Sequence, residues 1–380
     1  MKILMTSDTY LPRLGGGEHH VHYLLRELRK LGEEVTFLTT EQGSDEHDRE
    51  LVVNRVSYRG VHSLFPIFRR LWRLSREADL IHSHYSYRLA WIASIVALLR
   101  RKPFVLTQHG LGLLPQAGAR FPYTLLFVLW RRGSMKRAQF IISTSEDLSI
   151  EIRALGFGEK IIPIPNGYDP ELFQALPPPS GPPVLLTVRR LVPKTGVQYL
   201  LQVLPALLRR HPDLTCIIVG EGRMRKTLED LAENLHISDI VTFTGALPQN
   251  ELPDYYEQAH IVVLPSTAES TSLTCIEAMA SARPIVASRV GGLVELLGDE
   301  EERGFLIALT DDDNEHSTYD APMTLSVTRT EMLEDEISYV LSHREEALEK
   351  ARSAAAYAEE HFPWRRIARE TIEEVYKEVQ

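Results

Sequence analysis

Residues 264–280, LPSTAESTSLTCIEAMA, constrain the fold most, because the spacing of the apolar residues changes within this stretch. The apolar run 261–264 that precedes it is typical of a buried parallel strand. After Ser272 the apolar residues recur at helical spacing, and a second apolar run follows at 284–287. The order strand, polar loop, helix, strand predicts a parallel sheet covered by helices, which is an α/β fold.

Two carboxylates, Glu269 and Glu277, lie eight positions apart in this unit. Glu269 is in the loop at the carboxyl end of the predicted strand, where open parallel sheets bind ligands. Glu277 is on the helix, whose first backbone N–H groups favour an anion. The pair suits a ligand with phosphates and hydroxyls. By spacing alone, a solvated helix carboxylate explains Glu277 as well.

The wider string PSTAES…IEAMA…RPIVAS…VGG resembles the signature of retaining glycosyltransferases of family 4, in which seven residues separate two glutamates. The resemblance covers nearly the whole chain. It implies the GT-B architecture, in which two Rossmann-like, doubly wound domains face a cleft and a C-terminal helix crosses back to the first domain. It also implies that Glu269 lies beside the donor sugar and that Glu277 binds the donor ribose.

The first forty residues predict a βαβ unit with a glycine run at 15–17 before the helix. Glycines there would let a phosphate approach the backbone, although a flexible turn explains them equally well. The run does not match the dinucleotide pattern G-x-G-x-x-G. The resemblance places Gly16 and Gly17 against the donor phosphates. It also makes His109, which follows the predicted strand 104–107, a catalytic residue beside the donor sugar and the acceptor.

The family pattern also assigns site residues in the second half of the chain. Arg190 and Lys194 would bind the leaving diphosphate, which makes both of them expected catalytic residues. The backbone after Gly245 would hold the nucleobase. The donor-binding set is completed by Gly220, Ala246, Leu247, Ser270, Thr271, Ser272 and Leu273.

Several positions depart from the family pattern. Arg189 replaces a glycine and offers a further cation, and Thr195 stands where the family has a lysine before Gly196. We expect Arg190 to be indispensable and Lys194 to replace the missing lysine in part. The departures leave open a rival function, a non-catalytic nucleotide-sugar binding protein on the same fold. A two-domain periplasmic binding protein is disfavoured because the sequence shows no export signal.

The domain boundary is predicted at the proline-rich segment 177–183. Residues 1–176 would form the acceptor-binding domain, joined by a C-terminal helix at 363–380. Residues 184–362 would form the donor-binding domain. The acidic stretch 310–330 is predicted to be a surface loop without an assigned role.

Charge is unevenly distributed in this chain of net charge −10. Residues 1–175 hold 23 Lys and Arg against 18 Asp and Glu, whereas the remainder holds 19 against 34. The stretches 62–76 and 123–137 mix basic with apolar residues, which predicts docking on anionic lipid. Ordinary core residues with a solvated basic face are the alternative. We expect a nucleotide-sugar donor, a lipid-linked or glycan acceptor, and no nucleic acid.

The two cysteines and the lack of a signal peptide or membrane-length apolar run predict a cytoplasmic protein, with docking on the inner membrane face. A metal could be suggested by the histidines at 19, 20, 22, 82, 84 and 109, of which His19 and His22 span one helical turn. The sequence lacks nearby cysteines and a His-Glu-x-x-His pattern, which disfavours zinc. The resemblance implies a metal-independent enzyme. We therefore expect no metal and no cofactor, and the donor base, uridine or guanosine, stays open.

Overall fold

The computed structural model describes residues 1–13, 15–43, 51–57, 61–85, 87–110, 121–309 and 323–379, without the side chains of residue 61 and residues 121–126. The chain divides into two units. One comprises Met1–Gly167 with Trp364–Gln380, and the other comprises Tyr168–Pro363. Each unit has its own sheet, in which all paired strands run parallel.

The first unit alternates strands and helices, as the opening βαβ pattern predicts. Its strands are β1 (Lys2–Ser7), β2 (Glu34–Thr39), β3 (Val53–Arg55), β4 (Leu80–His84), β5 (Phe104–Gln108), β6 (Phe140–Ser143) and β7 (Ile161–Pro163). Its helices are α1 (Gly16–Lys30), α2 (Leu64–Leu74), α3 (Arg88–Arg100), α4 (Phe121–Arg137) and α5 (Glu146–Ala154). The strand order is β3-β2-β1-β4-β5-β6-β7.

The second unit repeats this construction. Its strands are β8 (Val184–Val188), β9 (Thr215–Val219), β10 (Val241–Gly245), β11 (Ile261–Leu264), β12 (Ile285–Ser288) and β13 (Phe305–Ile307). Its helices are α6 (Val197–Arg210), α7 (Arg225–Asn234), α8 (Pro253–Gln258), α9 (Leu273–Ala280), α10 (Gly291–Leu297), α11 (Val327–Ser342) and α12 (Arg344–His361). The strand order is β10-β9-β8-β11-β12-β13.

The predicted unit around residues 261–287 is confirmed as β11, α9 and β12. The four residues of β11 are all buried, as a strand covered by helices on both faces requires. Helix α9 begins directly after Ser272, whose hydroxyl accepts a hydrogen bond from the N–H of Cys275 at 3.2 Å. That cap satisfies one of the N–H groups that a helix leaves without an intrahelical partner.

Both sheets reverse their strand order at one point. The reversal lies between β1 and β4 in the first unit and between β8 and β11 in the second. Ligands of open parallel sheets bind beyond the carboxyl ends of the strands at such a reversal, because the helices there leave to opposite faces. Each unit therefore has a defined edge at which a binding site is expected.

Two predicted boundaries differ from the structure. The first unit ends at Gly167, before the predicted boundary at residue 176, because Tyr168 and Phe173 are buried in the core of the second unit. The predicted loop 310–330 is helical from Val327 onward, while residues 310–322 lie outside the described residues. Proline and charge patterns alone did not reveal either point, since both depend on packing against distant residues.

The last helix packs on the first unit, as predicted. Helix α13 (Trp364–Glu370) contacts α1 and continues as a π-helix at Thr371–Tyr376. The Trp364 ring is buried and stacks on Tyr23, with the ring centroids 5.8 Å apart. Burial of so large an aromatic ring provides the free energy that holds the terminal helix on this unit.

Gly196 allows the loop after β8 to reach the end of β11. Its φ is +70°, and a Cβ atom there would lie 1.7 Å from the carbonyl oxygen of Pro265. Gly181 has a φ of +95° with no atom near its Cβ position, so an alanine there is strained but does not collide.

We predict that Gly196→Ala destabilises the fold by about 2–5 kcal/mol, from left-handed strain together with the forced shift of Pro265. Gly181→Ala, the matched control, should cost only about 1–2 kcal/mol, from strain alone. Urea titrations measure both free energies of unfolding. Equal losses in the two variants would show that the close approach of Gly196 to Pro265 is not needed.

Candidate functional site

The edge between β8 and β11 brings an arginine and a carboxylate together across eighty residues of sequence. Arg189 directly follows β8, and Glu269 lies in the loop after β11. The Nη2 group of Arg189 donates to Oε2 of Glu269, and the two side chains are only 4% and 15% exposed. Such a pair, largely removed from water, is a strong charge-assisted contact.

Arg189 also reaches two serines of the same loop. It donates to the hydroxyl of Ser266, and its Nη1 group donates to the hydroxyl of Ser272 at 3.1 Å. The expectation that Arg189 offers a cation to the diphosphate is therefore wrong for this arrangement, because its guanidinium is already engaged by Glu269. The sequence could not reveal this, since the contact depends on β8 and β11 being neighbours.

Two more cations, Arg190 and Lys194, lie in the loop after β8, and Lys194 interacts electrostatically with Glu269. Arg190 is exposed and makes no ion pair with the other residues that the structure describes. Burial lowers the pKa of Lys194, while the nearby Glu269 carboxylate opposes that effect and Arg189 and Arg190 add to it. Thr195 is buried, and its hydroxyl contacts the carbonyl oxygens of Arg190 and Val192 at 2.8 and 2.7 Å.

The loop that carries Glu269 is held by the start of α10. The N–H of Gly292 donates to the carbonyl oxygen of Glu269 at 3.0 Å. A Cβ atom on Gly292 would lie 1.9 Å from the carbonyl oxygen of Ser270, so only glycine fits there. The structure thus brings the predicted residues Arg190, Lys194, Glu269 and 270–273 to one edge.

Glu277 is buried and belongs to a hydrogen-bond network separate from that of Glu269. Its two oxygens accept from Gln249 Nε2 at 2.6 Å and from the Tyr256 hydroxyl at 3.0 Å. Burial raises the pKa of Glu277 to about 7, against the lowering effect of these two hydrogen bonds. The interpretation of Glu277 as a solvated helix residue is therefore wrong.

The segment predicted to hold the nucleobase reaches Glu277 through Gln249. That segment follows β10, where Gly245 has a φ of +82° and its carbonyl oxygen accepts from the N–H of Gly220 at 2.8 Å. Ala246 is exposed, and Leu247 packs against the core that contains α9. Because Gln249 follows this segment, the predicted base and ribose residues are neighbours in the fold.

In the first unit, the glycine run and His109 come together. A Cβ atom on Gly17 would lie 1.9 Å from the Tyr85 hydroxyl oxygen and 3.4 Å from Cβ of His109. A side chain at position 17 would therefore displace the Tyr85 ring, while Gly16 is exposed at the start of α1. The Nδ1 atom of His109 is buried without a partner among the described groups.

Among the described residues, one group could reach a single metal ion, namely His20, His84 and His109, whose candidate ligand atoms lie within 4.8 Å of one another. His84 Nδ1 and His109 Nε2 share a hydrogen bond of 2.9 Å, so one of these nitrogens carries a proton. Burial lowers the pKa of all three rings, so they are neutral near pH 7. His19 and His22, which span one helical turn, are not part of this group.

A cavity of about 530 Å³ lies at the β1/β4 edge of the first unit, and the sequence analysis did not predict it. Its lining combines aromatic rings with charges of both signs, including Tyr87, Phe127, Trp130, Asp8, Arg13, Glu41 and Arg88. Burial raises the pKa of Asp8 to about 6, opposed by the Arg88 charge and by a hydrogen bond from the N–H of Leu89. The only sequence signal was an acid at the end of the first strand.

Comparison with known proteins identifies the family. A profile described as Glycosyltransferase Family 4 matches residues 14–172, and one described as Glycosyl transferases group 1 matches residues 169–317. One subunit of the human phosphatidylinositol N-acetylglucosaminyltransferase is 30% identical over 314 residues, which are 78% of this chain and 63% of the human protein. A glycogen synthase of Mycobacterium tuberculosis is 29% identical over 342 residues, which are 78% of this chain and 80% of that protein.

Among solved structures, HepE of Anabaena in complex with UDP-glucose is similar in fold. The alignment covers 99% of this chain and all of that one, with a TM-score of 0.78 and 20% sequence identity. The two profiles meet within residues 169–172 and together span most of the chain. The chain therefore belongs to family 4 of the glycosyltransferases and has their GT-B fold, as the sequence resemblance predicted.

Proposed function

We propose that this chain moves a sugar, with retention of anomeric configuration, from a nucleotide-diphosphate sugar to an acceptor. The observation that carries the proposal is the excess of positive charge around Glu269 at the β8/β11 edge. Lys194 interacts electrostatically with Arg189, Arg190 and Glu269, and because Arg189 is paired with this carboxylate, Arg190 and Lys194 supply the excess charge. A leaving diphosphate is the group that such an excess stabilises.

The proposed roles follow the chemistry of each group. Arg190, which is exposed, and Lys194 meet the diphosphate together with the first N–H groups of α9. Glu269 accepts a hydrogen bond from a hydroxyl of the donor sugar, and Glu277 accepts from the donor ribose. These cations and amides supply the charge stabilisation, so the proposed reaction needs no metal ion.

For the acceptor, we propose the cavity at the β1/β4 edge of the first unit. Aromatic rings such as Trp130 stack on sugar or polyol rings, while Arg13 and Arg88 suit a phosphate. The name of the human relative refers to phosphatidylinositol, whose headgroup combines both features. A phosphorylated polyol headgroup is thus the acceptor class that this cavity supports best, and His109 is the proposed catalytic residue of this unit.

The rival is a binding protein that holds nucleotide sugars without turnover. One observation favours this rival. Thr195 replaces the lysine of the family pattern, and its hydroxyl is hydrogen-bonded within the loop. Turnover separates the two functions. A panel of UDP and GDP sugars, offered with phosphatidylinositol and followed by mass spectrometry, should yield a glycosylated product or slow donor hydrolysis. Tight binding without any product would support the rival.

We predict that Arg190→Ala lowers kcat/KM by about 100-fold or more, the usual cost of removing a donor from a developing anion. Lys194→Ala should cost about tenfold, because half-burial and neighbouring cations weaken its role. Arg352→Ala removes an exposed cation of α12 and serves as the matched control, with unchanged kcat/KM. Equal activity of Arg190→Ala and the control would remove Arg190 from the diphosphate site.

Glu277 should make donor affinity depend on pH. Its pKa of about 7 means that the carboxylate is ionised at pH 8 and protonated at pH 6. Because a charged acceptor makes the stronger hydrogen bond, we predict that calorimetric affinity for the nucleoside diphosphate falls from pH 8 to pH 6. Glu277→Gln should bind about 10- to 150-fold more weakly at pH 8, for a loss of about 1.5–3 kcal/mol.

Ionisation of the Glu277 carboxyl group, which favours donor binding, should lower the stability of the fold. Between its ordinary pKa of 4.5 and about 7, the folded chain holds a proton that the unfolded chain has released. Stability should therefore fall as pH rises through this range, and Glu277→Gln should lack that part of the fall. The difference between the parent and Glu277→Gln in urea titrations at pH 5 to 8 isolates the effect. A pH-independent difference would contradict the pKa assigned to Glu277.

We also propose that the first unit docks on anionic membrane through α2, α3 and α4. These helices follow β3, β4 and β5, so right-handed crossovers bring them to one face of the sheet. Among the side chains that the structure describes, their large exposed apolar residues are Phe65, Leu98, Leu99 and Leu129. Their exposed basic residues are Arg69, Arg73, Arg132, Lys136 and Arg137, followed after α2 and α3 by Arg76 and Arg101.

Some of the predicted docking residues have other roles. Ile67 and Leu71 are core residues, and Arg131 is buried, so it is not a surface cation as predicted. The side chains of residues 123–126 lie outside the described residues. No helix within the described part of the chain is both long and apolar enough to cross a bilayer.

We predict that the double variant Arg69→Gln, Arg73→Gln lowers the partition onto phosphatidylserine vesicles by about 30-fold, at about 1 kcal/mol for each basic residue. Arg209→Gln with Arg352→Gln removes two exposed arginines of the second unit and should leave partition unchanged. Vesicle co-sedimentation measures both. Equal binding of the parent to neutral and anionic vesicles would contradict docking by these helices.

A further inference from the structure

Arg189 occupies a position at which the family pattern has a glycine, so this chain has an extra side chain at the β8/β11 edge. That side chain is not exposed to solvent. The side chain is only 4% exposed and contacts Glu269, Ser266 and Ser272. A buried arginine with three polar partners in one loop indicates a role that depends on its geometry.

The two carboxylate oxygens of Glu269 differ in their hydrogen-bond partners. Oε2 accepts from Arg189, and the Ser266 hydroxyl lies 3.4 Å from the same oxygen. Oε1 makes no hydrogen bond with any group in the described part of the chain. The carboxylate therefore has one oxygen held by the protein and one oxygen left for another molecule.

The guanidinium also connects this carboxylate to α9. Its Nη1 group donates to Ser272, the residue whose hydroxyl caps the first turn of α9. A planar guanidinium holds its two Nη groups at a constant separation, so the orientation of Glu269 is tied to the helix terminus.

We propose that Arg189 is a positioning residue, which holds Glu269 by Oε2 so that Oε1 accepts a hydrogen bond from one hydroxyl of the donor sugar. This inference rests on the proposed function. Arg189 itself does not touch the donor. It sets how strongly the site selects a sugar that carries this hydroxyl, because a carboxylate held in one orientation discriminates more than a mobile one.

The test compares Arg189→Gly and Arg189→Lys with the parent, using the nucleotide sugar that gives turnover and its deoxy analogues. We expect kcat/KM to fall at least tenfold in Arg189→Gly, mostly in kcat. Selection against the deoxy analogue that lacks the contacted hydroxyl should fall by a similar factor. The affinity for the nucleoside diphosphate alone should stay within threefold. Arg189→Lys should recover only part of the loss, because an ammonium group cannot bridge Glu269 and Ser272.

A double-mutant cycle with Glu269→Gln separates positioning from a structural role. If Arg189 acts through Glu269, Arg189→Gly should change kcat/KM less than threefold in the Glu269→Gln background. Loss of nucleoside diphosphate affinity in parallel with kcat/KM would show a structural role and overturn the inference. Unchanged kcat/KM in Arg189→Gly would overturn it as well.

A second measurement does not depend on turnover. Crystal structures of the parent, Arg189→Gly and Ser266→Ala, which removes the other Oε2 neighbour, report the conformation of Glu269. We expect Glu269 to keep its conformation in Ser266→Ala and to lose it in Arg189→Gly. An unchanged Glu269 in Arg189→Gly would contradict positioning. Absence of any sugar transfer by the parent would instead contradict the proposed function, and the two failures are thus distinguishable.

Discussion

The adjacency of β8 and β11 is the constraint on which the candidate donor site depends. These strands are far apart in the sequence but neighbours at the reversal of the strand order. Their carboxyl ends bring Arg189 and Glu269 into contact, and Gly196 lets the loop after β8 pass directly against Pro265. One packing arrangement thus supports the loop after β8, the ion pair and the start of α9. The glycine at position 196 has no room for a side chain in this arrangement.

Local patterns in the sequence predicted the elements of the fold well. The change of periodicity after Ser272 correctly marked the start of α9, and the resemblance correctly implied two parallel sheets. Burial and contacts between distant residues could not be predicted in this way. Glu277 was open to interpretation as a solvated carboxylate but is buried against Tyr256, and Arg131 is buried within a basic stretch. Arg189 was expected to be an available cation and is instead paired with Glu269.

The two units present different chemistry at their edges. The second unit has an excess of positive charge around one carboxylate, which suits a diphosphate. The first unit has neutral, hydrogen-bonded histidines and a cavity with aromatic rings, which suit a less charged ligand. Buried groups such as Asp8 and Glu277 titrate closer to neutral pH than exposed carboxylates because burial disfavours their charged forms. Both edges therefore have the perturbed acids that are common at functional sites.

The central claim is that a nucleotide sugar binds at the β8/β11 edge, with Arg190 at its diphosphate and Glu269 at its sugar. A crystal structure of the chain with the nucleotide sugar that stabilises it most tests this directly. We predict the diphosphate beside Arg190 and the first N–H groups of α9, the ribose at Glu277, and Oε1 of Glu269 within hydrogen-bond distance of a sugar hydroxyl. A nucleotide bound elsewhere, with the contacts of Glu269 and Glu277 unchanged, would contradict the claim.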